Sequence, residues 1–372
     1  MTAKKGRVPD NDQARTLAPP CASQPNRSKI EETHRRTMMV KAIGPAMPTR
    51  RQVVGGLGMA AAFGVIGAPT VLRAQQMNWI GASATPPTDF IAQMLDFFAK
   101  RVGELTKGQI AITTHHAGSL GGEREHVEGL LQGSVHVASP GMGLLAGWYK
   151  PAEVWTHPYL FKDVAHKDRV WDTMRVEYTD DIAKTAKLRT IAAIPRMPRQ
   201  LSCNKVVKTP VDMKGLKIRV PETALWKRTF EMFGASPTPL PFPEVFQALK
   251  SKLIDGQENP TALTYNSGIF DVNTHLSLTE HMMQDNCLLM ADGLYQKLSP
   301  DLQKAIDQAS RDAEADMRPK VIADDKTILD KVKAKNIVIS EVDKPAFTAT
   351  VKDLVNEFPA GKKWVERIRT IS

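Results

Sequence analysis

From Met77 onward the spacing of apolar positions switches between the two-residue period of a strand and the 3.6-residue period of a helix. Asn78–Ala82 reads as a strand, and Pro86-Pro87-Thr88 introduces a helix. In that helix Ile91, Met94, Leu95, Phe98, Val102 and Leu105 fall on one continuous stripe. Gly108 stops it, and Gln109–His115 returns to strand spacing. A second helix covers Gly122–Gln132, ends at Gly133, and leads into a strand over Val135–Ser139. This order predicts a mostly parallel sheet covered by helices.

The pattern recurs between Lys205 and Pro260. Asp212-Met213-Lys214-Gly215 turns into a short strand, Leu216–Val220, which Pro221 ends. A helix from about Thr223 to Phe233 stops at Gly234, and Pro237–Leu240 is strand-like. Pro243 opens a helix through Lys250, and Leu253–Gln257 returns to the sheet. Two α/β units joined through the extended region Thr190–Val206 predict a hinged clamshell with room for a small ligand between its halves. Ser299-Pro300 starts a helix that runs to about Lys335, with Pro319 expected to bend it. A helix of that length can lie across both halves.

Composition narrows the class. At 372 residues, with 42% apolar and 24% charged residues, the chain is neither disordered nor collagen-like. The formal charge of +10 suggests a nucleic-acid partner until it is located. Residues 1–74 hold 12 Lys and Arg against 4 Asp and Glu, which leaves 38 basic against 36 acidic residues in the remainder. The balanced body offers no phosphate-tracking surface, so no nucleic-acid partner is expected.

The basic leader carries its own signal. Thr49-Arg50-Arg51-Gln52-Val53-Val54 precedes an uncharged, Gly- and Ala-rich run from Gln52 to Leu72, the pattern of a twin-arginine export signal. Cleavage is expected after Ala74, and Met47 is the expected true start. A retained membrane anchor is the competing reading. Gly56-x-Gly58-x-x-Ala61 fits a dinucleotide fingerprint, but no strand precedes it.

Beyond Cys21 in the leader, the cysteines are Cys203 and Cys287, whose pairing the sequence leaves open. There is no CxxC and no HExxH, and His115-His116 reads as an exposed strand end; neither a metal nor a cofactor is expected. The candidate chemistry lies in two arginines. Arg219 sits near the end of the strand closed by Pro221, on the face opposite Ile218 and Val220. An Arg among buried strand positions is costly unless it meets an anion. Arg199 enters the same half 20 residues earlier. Two converging guanidiniums suit a ligand carboxylate; an internal salt bridge is the equal alternative.

The succession Asp212-Met-Lys-Gly-Leu-Lys-Ile-Arg-Val-Pro221, Gly234-Ala-Ser-Pro-Thr-Pro239, Glu244-Val-Phe-Gln-Ala-Leu249 and Ile254-Asp-Gly-Gln-Glu-Asn-Pro260 is distinctive. With Gly118-Ser-Leu-Gly121 and His157-Pro-Tyr-Leu-Phe161, it closely resembles the solute-binding proteins of tripartite ATP-independent periplasmic (TRAP) transporters, DctP type, over about Asn78 to Asn336. The resemblance implies an α/β fold: a two-lobe clamshell like that of periplasmic binding proteins, with mixed sheets and a long helix spanning both lobes. The expected division is a leader over 1–74, lobe I over 75–196 plus 286–324, and lobe II over 197–285 plus 325–372.

It also implies a periplasmic monomer without enzymatic activity that captures an organic acid between the lobes and delivers it to TRAP membrane permease subunits. Arg219 matches the family's principal carboxylate-pairing arginine, and Arg199 a second, assisting arginine. Asn259 matches a polar ligand contact, and Phe242 a residue packing on the ligand body. Glu244 matches a glutamate expected to support the arginines or the hinge. Trp226 is expected either to line the pocket or to fill the core, while Ser83, Ser139 and Asn286 are candidates from the other lobe. The chain departs from the family pattern at Pro198, beside Arg199.

Two other functions compete. One is an exported enzyme acting on a carboxylic acid, with Glu244, His115, His116 or His157 as acid or base; the other is an extracytoplasmic ligand sensor for a receptor. The chain has no G-x-S-x-G elbow and no nucleophile–base signature, which counts against the enzyme. Among acids, apolar character around Phe242, Trp226 and Met142 leans toward a hydroxy-, keto- or aromatic acid over a polyhydroxylated sugar acid.

Overall fold

The computed structural model describes residues 76–372. The stretch expected to be a leader, with the expected export signal and cleavage site and the dinucleotide-like run, lies outside the described residues.

Three parallel strands begin the first sheet: β1 (Met77–Ala82), β2 (Ile110–His115) and β3 (Val137–Ala138). Between β1 and β2 runs α1 (Phe90–Leu105), on which Ile91, Met94, Leu95, Phe98 and Val102 are all buried, as the stripe requires. Each such side chain contributes roughly 1.5–3 kcal/mol on leaving water. Asp89 caps α1 by accepting the Ile91 N–H at 2.9 Å. Next come α2 (Glu123–Gln132), a long helix α3 (Val164–Ala186), and β4 (Leu188–Ile194). The third strand is shorter than the sequence pattern because the N–H groups of Ser134 and Val135 both turn back to the Gly129 carbonyl.

The chain then crosses to a second sheet. In it lie β5 (Arg199–Cys203), β6 (Lys217–Val220), α4 (Ala224–Met232), β7 (Ser236–Pro239), α5 (Val245–Lys250), β8 (Gly256–Pro260), α6 (Thr261–Asn266) and β9 (His275–Leu278). It crosses back into β10 (Asn286–Ala291), followed by α7 (Asp292–Gln296), α8 (Pro300–Ala334), β11 (Val338–Glu341), α9 (Lys344–Thr350), α10 (Leu354–Glu357) and α11 (Lys362–Thr370). The strand orders are β2-β1-β3-β10-β4 and β11-β9-β5-β8-β6-β7. Both sheets are mixed: β10 runs antiparallel to β3 and β4, and β5 antiparallel to β8 and β9.

Helix α8 ties the lobes together. Its Ile306, Ala309, Ala313, Met317 and Val321 join the α1 core, while Val332 packs with Phe270, Leu276 and Ile337 of the second lobe. Pro319 lies inside it without ending it, and removes the donor the Ala315 carbonyl would otherwise meet. The last helix changes lobe: Trp364, Val365 and Ile368, which the sequence pattern groups with lobe II, pack against Trp155, Trp171 and Tyr178 of lobe I. Cys203 and Cys287 are both buried and free, one in each sheet.

Two crossing segments, 195–198 and 279–285, run side by side between the sheets. The Arg199 N–H donates to the Met282 carbonyl at 2.8 Å, and the Arg196 N–H to Asp285 Oδ1 at 3.1 Å. Lys167, fully buried, donates to the Arg196 carbonyl at 3.1 Å and pairs with Asp285. Among the described residues no helix is long and apolar enough to cross a membrane.

Candidate functional site

Strand β6 sets the centre of the cleft. Asp255 Oδ2 fixes its start by accepting the Lys217 N–H at 2.8 Å, and its Ile218 and Val220 enter the lobe II core. Alternation therefore turns Arg219 the other way, into a cavity of about 40 Å³. Neighbouring β8 delivers Asn259 there. Gly256 at the start of β8 is needed for close packing: a Cβ would lie 2.5 Å from the Ser202 carbonyl oxygen. Asn259 donates to Gln257 Oε1 at 2.6 Å, and Gln257 donates on to Ser202 Oγ at 2.8 Å and Thr264 Oγ1 at 3.2 Å. The amide is thereby oriented before any ligand arrives.

Three guanidiniums line the cavity, and they differ in what neutralises them. Arg196, on the crossing segment, points at Asp89 with contacts of 3.1 and 3.3 Å. Arg199 forks onto Glu258, Nε to Oε2 at 2.5 Å and NH2 to Oε1 at 2.7 Å, and NH2 also donates to the Glu258 main-chain oxygen at 2.7 Å. His281 Nε2 meets the same Glu258 Oε2 at 2.9 Å, and Thr279 Oγ1 lies 2.8 Å from His281 Nδ1. Burial alone pushes the Glu258 carboxyl up, but the charge and hydrogen bonds of Arg199, with His281, outweigh it and hold it down to about 2. Burial keeps His281 below the usual imidazole value against the pull of Glu258.

Arg219 is the exception. Its Nε and NH2 donate to the Leu240 main-chain oxygen at 2.8 and 2.6 Å, and no carboxylate pairs with it among the described residues. Burial pushes it down to about 10, with Glu258 opposing that fall, so it stays cationic at neutral pH. Its guanidinium stands 5.8 Å from the Phe242 ring centroid. Of the two sequence-level alternatives, the internal salt bridge describes Arg199, and the guanidinium open to an anion describes Arg219.

The opposite wall is formed by Thr85, Glu123, Leu144 and Asn286 of lobe I, with Gln284 from the crossing segment beside them. Glu123 is the first residue of α2, and burial raises its carboxyl above the ordinary range, with Arg219 opposing. Asn286 donates to the Ser139 carbonyl at 3.1 Å, and Gln284 Oε1 accepts the Gly143 N–H at 3.0 Å. The lobes meet at the rim, where Gly118 is so close to Pro243 that a Cβ would sit 2.4 Å from its Cγ. A larger crevice of about 400 Å³, lined by Arg124, Lys150, Glu222 and Glu357 among others, has Glu153 and Thr156 as its buried polar groups and no buried guanidinium.

Of the residues expected from sequence, Arg219, Arg199, Asn259, Phe242, Trp226 and, from the other lobe, Asn286 come together around the cavity. Ser83 and Ser139 are buried behind its wall: the Ser83 hydroxyl faces Thr85 Oγ1 at 3.1 Å, and that of Ser139 faces the Ala82 carbonyl. Glu244 is exposed at the end of a one-turn helix (Phe242–Glu244) and does not line the cavity, because that turn directs Phe242 inward and its own carboxyl to solvent. Met142 is buried in the lobe I core, and Leu144 takes the place at the wall. Sequence reasoning passed over Arg196, Glu123, Thr85 and Gln284. Arg196 was discernible as a charge between Pro195 and Pro198 on the crossing strand.

The comparisons with known proteins agree with this geometry. The family model for bacterial extracellular solute-binding proteins, family 7 (DctP), matches residues 81–361. A solute-binding protein of Roseobacter denitrificans is 34% identical over 262 residues, 69% of this chain and 79% of that protein. The crystal structure of that TRAP periplasmic solute-binding protein, with bound L-galactonate, superposes with a TM-score of 0.76 at 30% identity, covering 80% of this chain and 99% of the other. A TRAP periplasmic solute-binding protein of Chromohalobacter salexigens with bound D-glucuronate gives 0.75 at 29% identity, covering 79% and 100%. The 2,3-diketo-L-gulonate-binding periplasmic protein of Escherichia coli is 29% identical over 259 residues, 68% of this chain and 78% of that protein. This chain belongs to the bacterial extracellular solute-binding proteins, family 7, the DctP-type solute-binding proteins of TRAP transporters.

Proposed function

We propose that this protein captures a small hydroxylated monocarboxylate in the interlobe cleft, in the periplasm, and hands it to the membrane permease subunits of a TRAP transporter. One observation carries the reading: Arg219 is a buried cation whose only hydrogen-bond partner among the described residues is the neutral carbonyl of Leu240. A ligand carboxylate supplies the missing anion, with Arg199 and Asn259 beside it. The relatives' bound L-galactonate and D-glucuronate support an acid of this size and polarity.

The wall opposite Arg219 favours hydroxyls. Thr85, Glu123, Gln284 and Asn286 offer acceptors and donors where the sequence pattern led to an expectation of more apolar surroundings. Glu123 opposes a second carboxylate on the ligand while accepting from a hydroxyl. Binding and release need no bond to break, and no cofactor or metal. Export by the twin-arginine route rests on Arg50 and Arg51, and the lobe division is that of the sequence with residues 362–370 assigned to lobe I. Calorimetry with L-galactonate, D-glucuronate, pyruvate, benzoate and succinate tests the class. The hydroxy acids are expected to bind most tightly; tight binding of succinate or benzoate alone rejects it.

A further inference from the structure

Ten buried side-chain polar atoms among the described residues lack a hydrogen-bond partner, and nearly all lie away from the cleft. Trp226 Nε1 is the one that belongs to a residue lining the cavity. Trp226 is 1% exposed, in the first turn of α4, whose cap Thr223 accepts the Trp226 main-chain N–H at 3.3 Å. Its ring is held in place from above. The Arg199 guanidinium lies 5.0 Å from the ring centroid and is itself held by its hydrogen bonds to Glu258. Buried Trp N–H groups ordinarily find a partner; those of Trp155 and Trp171 also lack one, but both rings sit in the lobe I core, and of the three only Trp226 lines the cavity.

We infer that the Trp226 Nε1–H donates a hydrogen bond to a ligand oxygen at or beside the carboxylate that Arg219 receives, so that Trp226 is a specificity-determining residue and not only a wall. The inference rests on the proposed acid-capture reading. It accounts for the orphaned donor, for the ring being pinned by an arginine that is itself neutralised, and for Trp226 and Arg219 entering the cavity from the same lobe. An acid with oxygen on the carbon next to its carboxylate satisfies both groups; one bearing a methyl group there leaves the indole unpaired.

The test uses the full exported chain, wild type and Trp226→Phe, with L-galactonate and D-glucuronate. Phenylalanine keeps an aromatic ring beneath Arg199 and removes the N–H together with part of the ring volume, so the affinity change is read with the indole resonance of the wild type, which reports the donor alone. Calorimetry is expected to give roughly tenfold weaker binding in the variant. In ¹H–¹⁵N spectra of the wild type, the indole resonance that is missing from the variant is expected to move on ligand addition and to be protected from exchange. Unchanged affinity in the variant overturns the proposal. So does an indole resonance that stays in place in the saturated wild type, a reading that holds even if the variant fails to fold. A wild type that binds no acid of the panel is a different failure: it rejects the ligand class and this donor role with it.

Discussion

The Arg219 guanidinium directs two donors at the main-chain oxygen of Leu240, a neutral acceptor, while Arg199 nearby is closed onto the Glu258 carboxylate. Two arginines of one cavity are thus held by different means. Arg219 is oriented without being neutralised, and Arg199 is neutralised on site. Substituting the two therefore has opposite signatures.

Arg219→Ala removes the cation that has no acid partner in the protein, and costs binding at least a hundredfold, the scale of a desolvated charge-assisted pair. Its ligand-free melting temperature stays within a few degrees of wild type, because no buried carboxylate is stranded. Calorimetry and a melting curve on the same preparation check this. Wild-type affinity for the acid in the variant removes the basis of the carboxylate site.

Arg199→Ala strands Glu258, which is fully buried. A loss of about 3–5 kcal/mol of stability is expected, the usual cost of breaking one side of a buried pair. Replacing both partners, Arg199→Met with Glu258→Leu, recovers much of that loss because neither member of the pair is left as an uncompensated charge. Urea denaturation of the single and double variants measures the difference, and equal destabilisation of the two rejects the pairing as the origin of the cost.

The same pair sets an acid limb. Glu258 is held down to about 2 in the folded protein and returns to about 4.3 when unfolded. A depressed carboxyl adds stability above its unfolded value, and that contribution is lost as pH falls through the folded one. His281, kept neutral by burial, works in the same direction once pH drops below its unfolded value near 6.5. Stability is therefore expected to fall progressively from about pH 6 toward pH 2, with a shallower slope in Glu258→Gln. A slope between pH 5 and 3 that the variant leaves unchanged assigns the acid sensitivity elsewhere.

The lobes were legible in the sequence where periodicity and punctuation agreed. The α1 stripe, the Gly133 stop and the strand closed by Pro221 all stand in the structure. Helix α3 was missed because charge interrupts its apolar face, although Val170, Met174, Tyr178 and Ile182 recur every four residues. Of the two crossing segments the sequence shows only the first, as part of the extended region Thr190–Val206, since what defines them is mutual pairing, such as Arg199 with Met282, that no local pattern encodes. The site divided in the same way. Arg219 was readable from strand alternation, whereas Glu258 and His281, 23 residues apart, become partners only through the fold. Glu244 was misplaced because the sequence does not reveal that a one-turn helix precedes α5 and turns its carboxyl to solvent.

Glu123→Gln tests the selection against dicarboxylates. The wild-type carboxyl lines the cavity with burial pushing it up and Arg219 opposing, so a second acid group on the ligand costs either like-charge repulsion or the uptake of a proton. The variant is expected to bind succinate at least tenfold better than wild type, and hydroxy acids a few-fold less well. Competition calorimetry with succinate against L-galactonate gives the ratio. No change in that ratio removes Glu123 from the specificity argument.

Closure itself has a local requirement at the rim. Gly118 has φ +69°, and a Cβ there meets Pro243 Cγ at 2.4 Å and Cβ at 2.8 Å, contacts no ordinary side chain tolerates. Gly118→Ala therefore does two separable things. It strains the backbone, at about 1–2 kcal/mol, in any lobe arrangement. It also holds the rims apart, which penalises only the closed state. Ligand affinity should fall, because a ligand gripped by both lobes binds through the fraction of molecules that can close. Adding Pro243→Gly removes the ring that the new methyl group would strike, so the double variant regains affinity while the backbone strain still lowers its melting temperature. Small-angle scattering on the ligand-saturated single variant should report a larger radius than wild type. If Pro243→Gly restores neither compactness nor affinity, the loss in Gly118→Ala comes from the backbone alone and the rim contact does not govern closure.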